Sequence, residues 1–157
     1  MAACNATLEG MCSWTILAGR LLLSPIFLLS GLMKILNFAQ TGNMMEAEGM
    51  VWVPFFLVMS ILVEVLGGLS LLLGFKARLG ALLLVCFLVP VTLIFHDFWT
   101  YQGEAMQDQM AHFLKNVTIM GGLLVVAGAG AGKYALDFLA AHRGAGLRAH
   151  EELARTH

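Results

Sequence analysis

Four stretches of this chain, residues 14–36, 53–74, 77–95 and 113–130, are apolar over roughly 20 residues each, the length a helix needs to cross a bilayer. The third run extends towards Trp99 and contains Pro90, whose missing N–H neighbouring helices can offset. Between the second and third runs only Phe75-Lys76-Ala77-Arg78 intervenes, which predicts an antiparallel helical hairpin. The expected fold is therefore all-α: a four-helix transmembrane bundle, with an N-terminus at 1–13, a membrane domain at 14–132 and a tail at 133–157. Its partner is first of all the lipid bilayer.

Composition agrees. Hydrophobic residues make up 59% of the 157 residues and charged residues only 12%, against about 25% charged in soluble domains. A net charge of −1 without a basic stripe gives no footprint for nucleic acid. The three cysteines, Cys4, Cys12 and Cys86, form no CxxC pair, which argues against a disulfide framework or a thiolate metal site. Residues 1–13 contain no Lys or Arg and the following apolar run is interrupted by Arg20, unlike a cleaved signal peptide.

The segments 37–52 and 97–112 are polar and read as loops, and the tail after Lys133 as a short helix that frays. Lys76 and Arg78 in the short turn, and Lys133, Arg143, Arg148 and Arg155 in the tail, mark one side of the membrane. Glu46, Glu48, Asp97, Glu104 and Asp108 mark the other. The positive-inside bias then places both termini in the cytoplasm.

Ionisable groups within spans are costly and are functional candidates. Arg20, Ser24, Phe27, Gly31 and Lys34 recur at spacings of four and three and share one stripe of the first helix. Glu64 lies near the middle of the second span, with Ser60 one turn earlier and Gly68 one turn later. With the spans set flush, Arg20 and Glu64 are offset by about 6 Å along the bundle, within reach of an arginine side chain. Two readings fit: an Arg20–Glu64 ion pair that fixes helix register, or a carboxylate that titrates or binds a polar head group. Lys34, at a span end, either snorkels or joins the site.

A second cluster, His96, Asp97, His112, Lys115 and Asn116, falls at the ends of the third and fourth spans near Lys34, with Trp99 and Tyr101 close in sequence. It reads either as an interfacial belt or as a pocket for a small polar or quinone-like ligand, where histidine can exchange protons. Haem between His96 and His112 is disfavoured because both flank one loop at the membrane edge, and no metal-ligand pattern is present. Gly67-Gly68, Gly121-Gly122 and the run from Gly128 to Gly132 suit close helix packing or a homodimer face. The last run precedes Lys133 but lacks the strand and the GK[ST] ending of a phosphate loop. No nucleophile elbow, zinc-protease motif or dinucleotide fingerprint occurs.

The motifs Gly19-Arg20-Leu21-Leu22-Leu23 and Phe27-Leu28-Leu29-Ser30-Gly31-Leu32-Met33-Lys34 resemble the first helix of the DoxX family. Glu64-Val65-Leu66-Gly67-Gly68-Leu69 with Leu73-Gly74-Phe75-Lys76-Ala77-Arg78 is similar to its second helix and turn. His112-Phe113-Leu114-Lys115-Asn116 with Gly121-Gly122-Leu123-Leu124 is similar to its fourth. The resemblance spans residues 14–137. It implies a bacterial inner-membrane protein, related to DoxD-like subunits of thiosulfate oxidation with quinone as acceptor and to redox-stress complexes with superoxide dismutase and sulfurtransferase partners. The matched positions with polar chemistry are Arg20, Lys34, Glu64, His112 and Lys115. The function expected is a small membrane component of a redox system that binds quinone or a small polar ligand and takes electrons from a partner. The alternatives are a non-enzymatic scaffold for partner proteins and a transporter.

Overall fold

Apolar runs of membrane length leave the backbone one economical way to satisfy its polar groups, the α-helix. The computed structural model describes residues 2–140 and 142, with side chains from residue 10, and among them the only regular structure is helical. The elements are α1 (Ala2–Leu36), α2 (Phe38–Ala47), α3 (Val53–Leu73), α4 (Ala77–Phe95), a 3₁₀ turn (Phe98–Thr100) and α5 (Gly103–Ala129). Four helices are long and apolar enough to cross a membrane: Gly10–Leu36, Val53–Leu73, Ala77–Thr100 and Gly103–Ala129. Cys4's side chain and the tail arginines Arg143, Arg148 and Arg155 lie outside the described residues.

The bundle closes in a ring. α1 packs on α3, α3 on α4, α4 on α5, and α5 returns to α1. The interior is narrow: Phe27, Leu71, Leu84 and Leu123 form its centre. Only 17–28% of the residues in each span are buried within the protein, so most of each apolar helix faces outward. Leu22, Leu79 and Val125 are exposed by 81, 64 and 70%. Contiguous apolar surface on this scale is untenable in water and is what a bilayer solvates.

Small residues set how closely the helices approach. A Cβ on Gly67 would fall 2.6 Å from Leu84, and one on Gly68 would fall 2.9 Å from Leu28. Gly122 approaches Leu23, whereas Gly121 and Gly128 face open space. The expected glycine packing thus holds at 67, 68 and 122; in the Gly128–Gly132 run Gly128 faces open space, Gly130 abuts Arg78 of α4 and Gly132 abuts Ile16 of α1.

The same contacts give the register of α1 against α3. Gly31 is level with Glu64 and Val65, Phe27 and Leu28 with Gly68, and Arg20 with Gly74. Leu36 is therefore level with a point about a turn and a half inside α3. The first residues of α3 overhang α1 by about 9 Å at the helical rise of 1.5 Å per residue. The overhang is covered by α2: Met45 packs with Val53 and Leu57 in a second small core.

Three segments differ from the sequence expectations. The stretch 37–52 is not merely a loop, because it folds as α2. The fourth membrane helix starts at Gly103, ten residues before its apolar run, with Glu104 in the first turn where a carboxylate favours the helix dipole. The first helix extends back to Ala2. In the tail, residues 136–140 are helical.

The α3–α4 turn depends on Gly74, which ends α3 in the left-handed conformation at φ 66° while the N–H groups of Gly74 and Phe75 both return to the Ser70 carbonyl. This is a Schellman-type stop. The position where a Gly74 side chain would begin is filled by the Arg20 guanidinium. Gly74→Ala is expected to lose at least about 2 kcal/mol, the left-handed penalty of roughly 1–2 kcal/mol plus the displacement of Arg20. Gly128→Ala is expected to change stability by less than about 0.5 kcal/mol. Reversible unfolding of both variants in mixed micelles measures the difference.

Candidate functional site

The register of α1 and α3 decides which polar groups meet. Lys34, two residues from the end of α1, comes level with the interior of α3. Its Nζ lies 2.6 Å from Glu64 Oε1 in an ion pair, with side chains 22 and 6% exposed respectively. Ser30 Oγ donates to the same oxygen at 3.0 Å, and Lys34 Nζ reaches Ser30 Oγ at 3.4 Å. Lys34 also stands 5.7 Å from the centroid of the Phe87 ring on α4, a cation–π distance. Its ammonium is thus turned into the bundle and does not snorkel to the membrane surface.

The Arg20–Glu64 pair suggested by spacing does not form. Arg20 is fully buried nearly three helical turns away, about 15 Å along α3, level with Gly74. Its Nη1 donates to the Leu71 carbonyl at 3.1 Å and its Nη2 to the Tyr134 carbonyl at 2.6 Å. The first bond ties α1 to the end of α3, and the second ties it to the segment after α5. Arg20 is a clasp at that end of the bundle. Its Nε and Ser24 Oγ, one turn on, are buried without a protein partner.

The second cluster assembles as the hairpin geometry predicts. The His96 and His112 rings stack with centroids 5.2 Å apart and planes 15° from parallel. His96 Nδ1 pairs with Gln109 Oε1 at 2.9 Å. Lys115 Nζ donates to His112 Nδ1 at 2.9 Å. An ammonium has no acceptor, so His112 Nδ1 carries the lone pair and the ring proton sits on Nε2. Asn116, buried, donates from Nδ2 to Thr92 Oγ1 at 3.1 Å and links α5 to α4. Asp97 turns aside and accepts from the Thr100 hydroxyl in the 3₁₀ turn.

Both clusters border one cavity of about 590 Å³, within the usual range for small-molecule sites. Lys34, Glu64, His96, Lys115 and Asn116 line it, while His112 stacks behind His96 and Arg20 lies elsewhere. The remaining wall is mostly apolar. It includes Phe27 and Phe87 and four methionines, Met44, Met45, Met50 and Met59. The contribution of α2 (Thr41, Met44 and Met45) was hidden in the sequence, because a ten-residue helix is too short to show as a span. Met-rich surfaces adapt to varied apolar shapes. At the polar part Glu64 Oε2 is buried and accepts no hydrogen bond from the described residues. A buried carboxylate oxygen in that state costs desolvation free energy that a donor would recover.

These features define a four-span helical membrane protein with a polar-lined cavity inside its bundle. The DoxX family model matches residues 15–97, and the chain belongs to the DoxX family. It is 38% identical over 125 residues to the Escherichia coli (strain K12) inner membrane protein YqjF, covering 79% of this chain and 90% of that one. It is 30% identical over 122 residues to the E. coli inner membrane protein YphA, covering 78% and 87%. No solved structure gives a significant match. The chain is accordingly a multi-pass inner-membrane protein. The family match takes in α1 to α4, so Lys34, Glu64 and His96 lie within it and His112, Lys115 and Asn116 on α5 beyond it.

Lys34→Met removes the counter-ion from the buried Glu64 carboxyl. A loss of about 3 kcal/mol is expected, the low end for breaking a buried pair because the lysine is partly exposed. The double change Lys34→Met with Glu64→Met is expected to restore most of it. Unfolding of the set in mixed micelles checks this, and a double variant as unstable as the single one would contradict the pairing energetics.

Proposed function

We propose that this protein is a small membrane component of a redox system that binds a quinone-like amphipathic molecule in the cavity between α1, α2, α3, α4 and α5. The observation that carries the reading is the unpartnered Glu64 Oε2, set beside the Lys34 ammonium in a cavity whose other walls are thioether and aromatic. A ring-shaped head group with oxygen at both ends suits such a site. Glu64 Oε2 would accept from a hydroxyl, and Lys115 and Asn116 offer N–H groups to a carbonyl. The apolar remainder would lie against Met44, Met59 and Phe87.

A quinone bound there would supply two-electron, two-proton chemistry, with electrons delivered by a redox-protein partner. The chain's own residues would bind and orient the head group and handle protons. Lys34 and Ser30 both engage Glu64 Oε1, and Oε2 would accept from the ligand. The His96–His112 stack, braced by Gln109 and Lys115, would serve as the second exchange point. In this reading Arg20, a functional candidate because it is charged within a span, holds the bundle together instead. Both termini are taken as cytoplasmic, because Lys76, Arg78 and Lys133 gather at one end and Glu46 and Glu48 around the end of α2, Asp97 after α4 and Glu104 in the first turn of α5 lie at the other.

The test is titration of purified protein with a soluble quinone analogue, followed by tryptophan fluorescence. Glu64→Gln is expected to weaken binding roughly tenfold or more, the scale of a hydrogen bond to a charged group, and His112→Ala by a smaller factor. Equal affinity in the wild type and both variants would remove the site assignment.

A further inference from the structure

A second cavity, of about 580 Å³, opens at the Arg20 end of the bundle, between α1, the α3–α4 turn and the chain leaving α5. Lys76, Arg78 and Lys133 line it together with Asp137, so its walls carry three cations and one carboxylate. Asp137 Oδ1 already accepts from the Lys76 backbone N–H at 2.9 Å. The chain turns sharply there, with Gly130 and Gly132 at φ 86° and 75°. A side chain on Gly130 would meet Arg78 Nε and Nη2 at 3.0 and 3.1 Å, so the guanidinium lies directly over the backbone at the end of α5.

The surroundings of these cations fix their depth. Trp14 and Tyr134 meet at this end with ring centroids 4.5 Å apart and planes tilted by 39°, and are 59 and 47% exposed. Phe75 is 52% exposed, with Lys76 Nζ 5.7 Å from its ring centroid. Exposed Trp and Tyr mark the level of lipid head groups. Leu79, also in the wall, is 64% exposed and points apolar surface alongside the cations. A cationic recess at head-group level with an apolar flank suits an anion that carries acyl chains.

We propose that this groove seats the phosphate of an anionic phospholipid, held by Lys76, Arg78 and Lys133 with the acyl chains along Leu79. The groove lies apart from the Glu64 cavity and does not depend on the ligand bound there. Because the lipid bridges the α3–α4 turn and the segment after α5, it reinforces the same junction that Arg20 clasps from inside.

The full chain in mixed micelles is titrated with short-chain phosphatidylglycerol, with phosphatidylcholine and with inorganic phosphate, and bound lipid is counted by native mass spectrometry. Phosphatidylglycerol is expected to bind more tightly than phosphatidylcholine and to weaken with added salt. Each cation near the surface is worth about a fivefold change, so Arg78→Gln with Lys133→Gln should weaken phosphatidylglycerol roughly thirtyfold. Asp137→Asn keeps the acceptor for the Lys76 N–H while removing the opposing charge, and should tighten binding by about fivefold. That arm decides the matter if the double variant fails to fold. Equal retention of the two lipids, no response to Asp137→Asn, or displacement of phosphatidylglycerol by an equal concentration of inorganic phosphate would each overturn the proposal.

Discussion

The Lys34–Glu64 ion pair is the contact around which the bundle is organised. A carboxylate in the middle of a membrane helix is tolerated only where an opposite charge and hydrogen bonds meet it. Here the ammonium arrives at 2.6 Å and a serine hydroxyl at 3.0 Å. For Lys34 to reach, α1 must end well inside the length of α3, and Gly31 must let the two backbones close at the level of Glu64. The stagger that results leaves the start of α3 without α1 as a neighbour. α2 fills that place, and in doing so completes the cavity wall.

At the other end the constraint is different. Among the described residues Arg20 meets no carboxylate at hydrogen-bond range and directs its donors to the carbonyls of Leu71 and Tyr134. Carbonyls near helix ends lack intrahelical partners, and a guanidinium can serve several of them at once. One residue thus joins three segments that share no direct sequence neighbourhood. Gly74 is the complement of that choice, since only a residue without a side chain leaves room for the guanidinium.

Much of this was legible in the sequence, for physical reasons. Span length and apolarity are imposed by the bilayer, so the four crossings could be read directly. The polar residues inside or beside the spans were few and costly, and five of the eight named there, Lys34, Glu64, His96, Lys115 and Asn116, line one cavity. The pairing of Arg20 was misread because the spans were set flush. Hydropathy gives the length of each helix but not its axial shift, and a shift of about 9 Å exchanges one cation for another at Glu64. The early start of α5 and the whole of α2 were missed for a related reason. Both are polar enough to resemble loops, and neither carries a side-chain N-cap; α2 is held by contact with α3, and α5 packs on α4 and the 3₁₀ turn. Ser30, Gln109 and the α2 methionines carried no signal without that tertiary frame.

The cavity wall has a consequence for selectivity. Each methionine side chain has three rotatable bonds and a polarisable sulfur, so a wall containing Met44, Met45, Met50 and Met59 can conform to tails of many shapes at little cost. Glu64 and Lys34 have no such latitude. On the proposed function, a head group of the wrong polarity would leave Glu64 Oε2 buried without a donor, a penalty larger than that of one misplaced methylene. Such a chamber would grade its guests steeply by the oxygen they present and gently by the hydrocarbon behind it.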